Sequence, residues 1–393
     1  MKNYTASDVL RVAKRLNNTR RKFLLVNPLQ GKHLPVSPTA ALDMMNALGR
    51  QVAEKFPDAR LVIGFAETAT AIGAVVAKNL SNECIYLQTT RETFAGTFVE
   101  FLEEHSHAPE QKLYAENFAA LLERTPSVVF VDDELSTGQT LLNIFSQLIE
   151  KFPALTDKKL CAASIISRLS PESQIAFGIV GIKPVALVEL EPSTFDVEKF
   201  SVRPAQEVQC GMRNAQCVMK KFSADARRGV KIGEYFAQCE GVGKFVVDLL
   251  KSENISGEVL VLGTEEFMLP AIIAARSLER ENFSVVTHST TRSPIGISRD
   301  ENYPVCEGYR LRSFYDATRT TFIYNLKFYD AAVIVTDAKF QIRDDSKRGE
   351  SIQDFATSNR AIWMQRHVAS AGTDDLIAAL NVHGVEKIFI VRC

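Results

Sequence analysis

Asp132 and Asp133, followed closely by Ser136-Thr-Gly-Gln-Thr140, are the residues whose types and spacing best suit chemistry. Adjacent carboxylates accept hydrogen bonds from hydroxyls such as those of a sugar. Ser136, Thr137, Gly138, Gln139 and Thr140 open a helical pattern that continues through Leu141-Leu-Asn-Ile-Phe145. A helix N-terminus offers unpaired N–H groups and a positive dipole end, so it can hold a phosphate. Gly138 lets the backbone come close, and the threonine hydroxyls add donors. Carboxylates for hydroxyls beside an anion cradle describe a site for a phosphorylated ribose.

Such groups need a rigid edge to stand on. Ser127-Val-Val-Phe-Val131 is short, apolar and β-branched, the pattern of a strand buried in a parallel sheet. It places the acid pair at a carboxyl strand end, where open α/β sheets bind ligands. Arg60–Gly64 predicts an earlier strand, followed by a helix over Ala74–Leu80, and Glu83–Arg91 predicts the next strand with a cation at its end. Val185–Leu190 closes the sheet. After Arg91 comes a polar stretch of about thirty residues, the kind of long segment that often forms a lid. Within it, Glu103, His105 and His107 are candidates for a general base or a metal, although no further ligands stand at zinc spacing.

The run from Ser127 to Thr140 resembles the phosphoribosyl-pyrophosphate (PRPP) signature of type I phosphoribosyltransferases, a short apolar strand, two acids, then Thr-Gly-x-Thr. The resemblance implies that Asp132 and Asp133 contact the ribose hydroxyls and that residues 136–140 hold the 5′-phosphate. It also implies a pyrophosphate loop at Phe65, Ala66, Glu67 and Thr68, with Arg91 facing the leaving group. Asp132, Asp133 and Arg91 are then the candidate catalytic residues. A variable hood over the base, built partly from the N-terminal segment, would bring Lys32 and His33 to the acceptor. Glu134, where most members carry an apolar residue, and Ser136, where some purine enzymes carry an acid, depart from the pattern.

The second half echoes the first. Leu61-Val-Ile-Gly-Phe-Ala-Glu67 is matched by Leu260-Val-Leu-Gly-Thr-Glu-Glu266, and Tyr86-Leu-Gln-Thr-Thr-Arg91 by Thr287-His-Ser-Thr-Thr-Arg292. Glycine to arginine is 27 positions in one (91 less 64) and 29 in the other (292 less 263). Ala332-Val-Ile-Val-Thr-Asp337 stands where the acid-pair strand stood, but Ala338-Lys-Phe-Gln follows in place of Thr-Gly-x-Thr. Glu266, Thr291, Arg292 and Ser293 form a candidate second site, because an arginine at a strand end can grip an anion. The expected fold is therefore α/β, two Rossmann-like units with mostly parallel sheets, the first of type I phosphoribosyltransferase fold and the second either a degenerate repeat of it or a separate unit converging on the same strand–helix pattern. The expected boundaries are a phosphoribosyltransferase domain with its hood over 1–195, a bridging segment over 196–256 and a C-terminal domain over 257–393. Thr291-Arg-Ser-Pro294 behind such a first unit resembles the two-part proteins encoded in bacterial tellurium-resistance stress gene clusters. That resemblance implies a role in making a nucleoside-like metabolite, with a homodimer or other products of the same cluster as partners.

Composition bounds the rest. At 393 residues the chain holds two or more cores. Its net charge of −1 gives no basic footprint, which argues against nucleic acid as the main partner. No apolar run reaches the length of a membrane span, and the N-terminus lacks a signal sequence. Seven scattered cysteines without a C-x-x-C pair suit a reducing cytoplasm. The expected activity is Mg²⁺-dependent transfer of phosphoribose from PRPP to a base-like acceptor, with no dedicated protein cage for the metal. The alternative is a non-catalytic regulatory protein that binds PRPP or a nucleotide.

Overall fold

The computed structural model describes residues 2–16, 21–101, 111–208, 215–339, 341–343 and 367–393. It divides into two compact units, one of Met1–Leu10, Thr39–Phe195 and Ala224–Gln238, the other of Arg11–Pro38, Asp196–Ser223 and Cys239–Cys393.

The first unit is built on the strands Ala59–Gly64 (β1), Ile85–Gln88 (β2), Phe98–Phe101 (β3), Gln111–Tyr114 (β4), Ser127–Leu135 (β5), Lys159–Ser167 (β6) and Ile182–Glu189 (β7). β2, β1, β5, β6 and β7 pair in that order, all parallel, and the two-residue strand Val230–Lys231 adds antiparallel to the outer edge of β2. Continuous apolar runs in β1 and β5 follow from burial on both faces of a parallel sheet. Helix α1 (Thr70–Leu80) is buried from Thr70 to Ala77, and its small residues let it lie close to β1. A Cβ at Gly73 would sit 3.0 Å from the Gly64 Cα. On the other face Phe130, Phe145, Leu148, Leu160 and Phe177 make one core, each such side chain contributing about 1.5–3 kcal/mol by burial. β3 and β4 form an antiparallel arm whose base joins the sheet at the Thr90–Lys112 bridge.

β5 is longer than its apolar run. The sequence places its end at Val131, yet pairing with β6 carries it to Leu135, with Asp132 opposite Ser164 and Glu134 opposite Ile166. On its other side β1 stops at the Gly64–Val131 pair. The acids therefore lie within a strand but beyond the reach of β1, which opens one flank to a ligand.

In the second unit, Ala215–Met219 (β8), Glu258–Gly263 (β9), Ser284–Ser289 (β10), Gly308–Arg312 (β11), Thr320–Tyr324 (β12), Ala331–Thr336 (β13) and Ile388–Arg392 (β14) are the main strands. β10, β9, β13, β14 and β8 form an all-parallel sheet in that order. The order β10-β9-β13-β14 repeats β2-β1-β5-β6, and β11 and β12 form a hairpin in the place of β3 and β4. The α/β character and the second Rossmann-like unit expected from the sequence are both present.

The boundaries differ. Residues 11–38, expected as a hood on the first unit, pack in the second. Arg11–Lys14 and Phe23–Val26 pair antiparallel, and Ala13 and Val26 join Ile295, Ile297, Tyr303 and Tyr324 in one apolar cluster. The expected bridging segment has structure of its own: residues 224–238 belong to the first unit, and the remainder, including β8, to the second.

Candidate active site

The acid pair and the turn after it come from one strand–loop–helix. Helix α2 (Gln139–Lys151) begins after Gly138, which caps it at φ 73°. That left-handed backbone favours glycine. A Cβ there would also approach a Phe177 ring atom at 2.3 Å, so Gly138 is fixed by the core beneath it as well as by the open face above. Thr137, Gln139 and Thr140 are exposed and Ser136 is half-buried. The Thr137 hydroxyl accepts from the Gln139 amide at 3.3 Å, as at a helix cap. The side chains of Thr137, Gln139 and Thr140 at this helix start therefore lie at the surface.

Asp132 and Asp133 are half-buried. Burial, reinforced by the neighbouring Asp133 carboxylate, holds the Asp132 pKa well above the ordinary carboxylate range. The Asp133 amide donates to Asp132 Oδ1 at 2.9 Å, and the Thr68 hydroxyl donates to Asp133 Oδ1 at 2.9 Å. Thr68 thus meets the acid pair directly, bringing the loop after β1 to the same edge.

Two amides of that loop are engaged within the protein. The Phe65 amide donates to Val131 O at 2.9 Å and the Ala66 amide to Thr89 Oγ1 at 2.8 Å. The Phe65 ring stacks on Phe130 in the core at 6.3 Å. Phe65 and Ala66 therefore shape the loop, and their amides are committed to the protein. Glu67 is buried and the Ala66–Glu67 peptide is cis. Arg91 follows the end of β2 at the same sheet edge, half-buried.

Glu134 has a partner that the sequence reading missed. Arg168, one residue past β6, donates from Nε to Glu134 Oε1 at 3.1 Å and from Nη1 to Ser193 O at 2.5 Å, with its guanidinium over the Phe195 ring at 5.5 Å. Both charged side chains are about nine-tenths buried. The apolar run Cys161–Ile166, closed by Ser167-Arg168, was the available signal, since an arginine at that strand end faces the strand carrying the extra acid.

Three expectations lie elsewhere. Lys32 and His33 are buried in the second unit, where Lys32 Nζ donates to Glu265 O at 2.7 Å and Thr290 O at 2.9 Å, so neither serves as a hood contact within the first unit. Glu103, His105 and His107 fall outside the described residues. Of the candidate second site, Glu266 and Thr291 are buried, and Arg292 grips a protein carboxylate: its Nε and Nη2 meet Glu265 Oε2 at 2.9 and 2.8 Å.

Residues 9–181 match the family model described as phosphoribosyl transferase, and residues 225–351 match that of the TRSP domain found C-terminal to it. The chain is similar to the orotate phosphoribosyltransferase of Aeropyrum pernix at 18% identity, covering 47% of this chain and 89% of that one, with TM-score 0.31. It is also similar to the adenine phosphoribosyl transferase of Trypanosoma brucei solved with AMP, pyrophosphate and ribose-5-phosphate, at 16% identity over 46% and 76%, with TM-score 0.34. The enzyme of Giardia lamblia complexed with 9-deazaadenine stands at 14% identity over 47% and 96%, with TM-score 0.34. No sequence among curated proteins matches the chain. No helix among the described residues is long and apolar enough to cross a membrane. The chain thus carries a phosphoribosyl transferase domain in residues 9–181 and, in residues 225–351, the TRSP domain that follows such a domain.

Proposed function

We propose that the first unit transfers 5-phosphoribose from PRPP to a base-like acceptor and releases pyrophosphate, in the synthesis of a nucleoside-like metabolite tied to tellurium-resistance stress. The observation that carries this reading is the joining, on one strand–loop–helix, of Asp132 and Asp133 to a Gly138-capped helix start open to solvent. The acids accept the ribose hydroxyls, and residues 136–140 hold the 5′-phosphate through backbone N–H groups and threonine hydroxyls. Between these two grips the sugar is fixed, so the anomeric carbon has one orientation toward acceptor and leaving group.

Departure of pyrophosphate builds positive charge on the ribose ring and negative charge on the leaving group. Arg91 is placed in the reading to neutralise the latter, and Asp132 and Asp133 to stabilise the ring side. Among the described residues no three His, Cys, Asp or Glu side chains converge on one point. The Asp132–Asp133 pair fits a hard divalent cation that keeps most of its waters, because a positive charge favours the ionised form that burial and then the Asp133 carboxylate disfavour. When bound, Mg²⁺ shared with the substrate supplies charge neutralisation on the diphosphate.

The test is pyrophosphate release from PRPP and Mg²⁺ with a panel of purine and pyrimidine bases, together with calorimetric titration of PRPP. Asp133→Asn is expected to weaken PRPP binding about tenfold or more, the scale of one charge-assisted hydrogen bond. Unchanged PRPP affinity in that variant would remove the ribose assignment.

A further inference from the structure

Residues from 225 onward match the TRSP model, yet the segment Ala224–Gln238 packs in the first unit. Val230–Lys231 pairs with the outer edge of β2, and two more backbone bonds follow it. The Ile232 amide donates to Cys84 O at 2.9 Å, and the Gly233 amide to Asn82 O at 2.9 Å. The Tyr235 ring stacks on Tyr86 at 6.5 Å, and the Tyr86 hydroxyl donates to Thr70 O at 2.6 Å. The segment is a strap built into the edge of the first sheet.

One residue of the strap reaches the arm formed by β3 and β4. The Arg228 guanidinium lies over the Phe94 ring at 4.7 Å and over the Tyr114 ring at 5.3 Å. Its Nη2 donates to Ala95 O at 3.1 Å, and Asp225 Oδ2 stands 3.8 Å from its Nε. The rings belong to a knot at the Phe98–Tyr114 end of the arm. Phe94 meets Phe98 edge-on at 4.9 Å, and Phe98 meets Tyr114 edge-on at 5.7 Å. A Cβ at Gly96 would approach a Tyr114 ring atom at 2.3 Å, so the turn closes on that ring only without a side chain. A planar cation spanning two rings, with a hydrogen bond from its fork, is a geometry that lysine does not copy.

β4 carries this hold to the candidate active site. Lys112 exchanges two backbone hydrogen bonds with Thr90, each at 2.8 Å, and Thr90 is the residue before Arg91. Gln111 Oε1 accepts from the Thr89 hydroxyl at 2.6 Å, while Thr89 Oγ1 accepts from the Ala66 amide at 2.8 Å. Ala66 shares a loop with Thr68, which donates to Asp133. One short strand therefore joins Arg228 to the edge where the leaving group is read to sit.

We propose that Arg228 is a positioning residue for phosphoribosyl transfer, holding the arm so that Arg91 and the loop at 65–68 stand ready for the diphosphate of PRPP. The inference rests on the reading of the first unit as a PRPP-dependent transferase. It gives the opening residues of the TRSP-matched stretch a task in that unit. The effect belongs to the diphosphate, because Asp132, Asp133 and residues 136–140 stand on β5 and the start of α2, whereas the strap pairs with β2 and meets β4.

Full-length wild type, Arg228→Leu and Arg228→Lys are titrated calorimetrically with PRPP and with ribose 5-phosphate, both with Mg²⁺. Amide hydrogen exchange follows peptides of β3 and β4 in the same proteins. The Arg228 side chain is 44% exposed, so its hold is modest. Arg228→Leu should speed exchange in the arm and weaken PRPP binding, each about three- to tenfold, the scale of one or two exposed cation–ring contacts. Ribose 5-phosphate should bind all three proteins alike, and unchanged protection in β1 and β5 shows that the variants are folded. Arg228→Lys should fall between the other two, since it keeps the charge and loses the planar fork. Unchanged exchange in the arm, or equal loss of PRPP and ribose 5-phosphate affinity, overturns the proposal. Wild-type behaviour of Arg228→Lys does so too, since Arg228 would then act only as a charge. PRPP binding that ignores Arg228→Leu sinks the positioning role alone, whereas a wild type that binds neither ligand sinks the first-unit reading and the positioning role with it.

Discussion

At the scale of single residues, the site is assembled from groups that cost stability. Asp132 has its pKa raised by burial and by Asp133, so its charged form is less welcome in the folded chain than in the unfolded one. For a group shifted upward, the folded chain is favoured below the unfolded value of 3.8 and that advantage disappears as pH rises through the folded value. At neutral pH Asp132 is therefore a net burden on the unliganded protein. Asp132→Asn should raise the melting temperature at pH 7, leave it nearly unchanged at pH 4, and weaken PRPP binding; thermal denaturation across that pH range checks the first two. Equal melting of the two proteins at pH 7 would count against a raised pKa. Glu134 and Arg168 behave differently, since each neutralises the other inside the protein. Glu134→Leu alone strands a buried guanidinium and should cost about 3–5 kcal/mol in chemical denaturation, whereas Glu134→Leu with Arg168→Leu should recover most of it.

At the scale of elements, what the sequence made legible is what periodicity and local motifs encode. The apolar run before Asp132, the turn at Gly138 and the threonine-rich helix start all stand where their composition puts them. What stayed hidden depends on partners distant in the chain. β5 runs four residues past its apolar run because β6 continues beside it, and no local feature of Asp132–Leu135 records that neighbour. Lys32 looked like a loop cation and is a buried cap on carbonyls more than two hundred residues away in sequence. Phe65 and Ala66 sit in the expected loop, yet their amides are spent on Val131 and Thr89. Gly138 couples turn and core, so Gly138→Ala should add left-handed strain of about 1 kcal/mol and overpacking against Phe177 of about 1–3 kcal/mol. Adding Phe177→Leu should recover only the packing share, which urea denaturation of the three proteins would resolve. Full recovery would mean that the backbone conformation carries no cost.

At the scale of the whole molecule, the repeat is visible in sequence as Gly, Glu and Thr-Thr-Arg at near-equal spacing, and the fold turns those letters into the same hydrogen bonds in both units. The second unit is expected to lose stability in acid before the first, on account of His288. It is buried at the end of β10, with Nε2 2.9 Å from Tyr324 O; a carbonyl only accepts, so Nε2 carries the hydrogen. Burial, with Lys32 adding to it, depresses its pKa from 6.5 to about 4. For a group shifted downward, the stabilising contribution is present above 6.5 and fades as pH falls toward 4, because only the unfolded chain takes up the proton in that window. The difference amounts to about 3 kcal/mol for this one side chain, a large part of what an ordinary domain possesses. Amide hydrogen exchange, corrected for the intrinsic pH dependence, should show peptides from β9, β10 and β13 losing protection between pH 7 and pH 5 before those from β1 and β5. His288→Gln should flatten that loss, since glutamine keeps a donor for the Tyr324 carbonyl and has no proton to gain. If protection in the second unit falls equally in wild type and variant, acid lability has its origin in other groups, and His288 is only a packed ring.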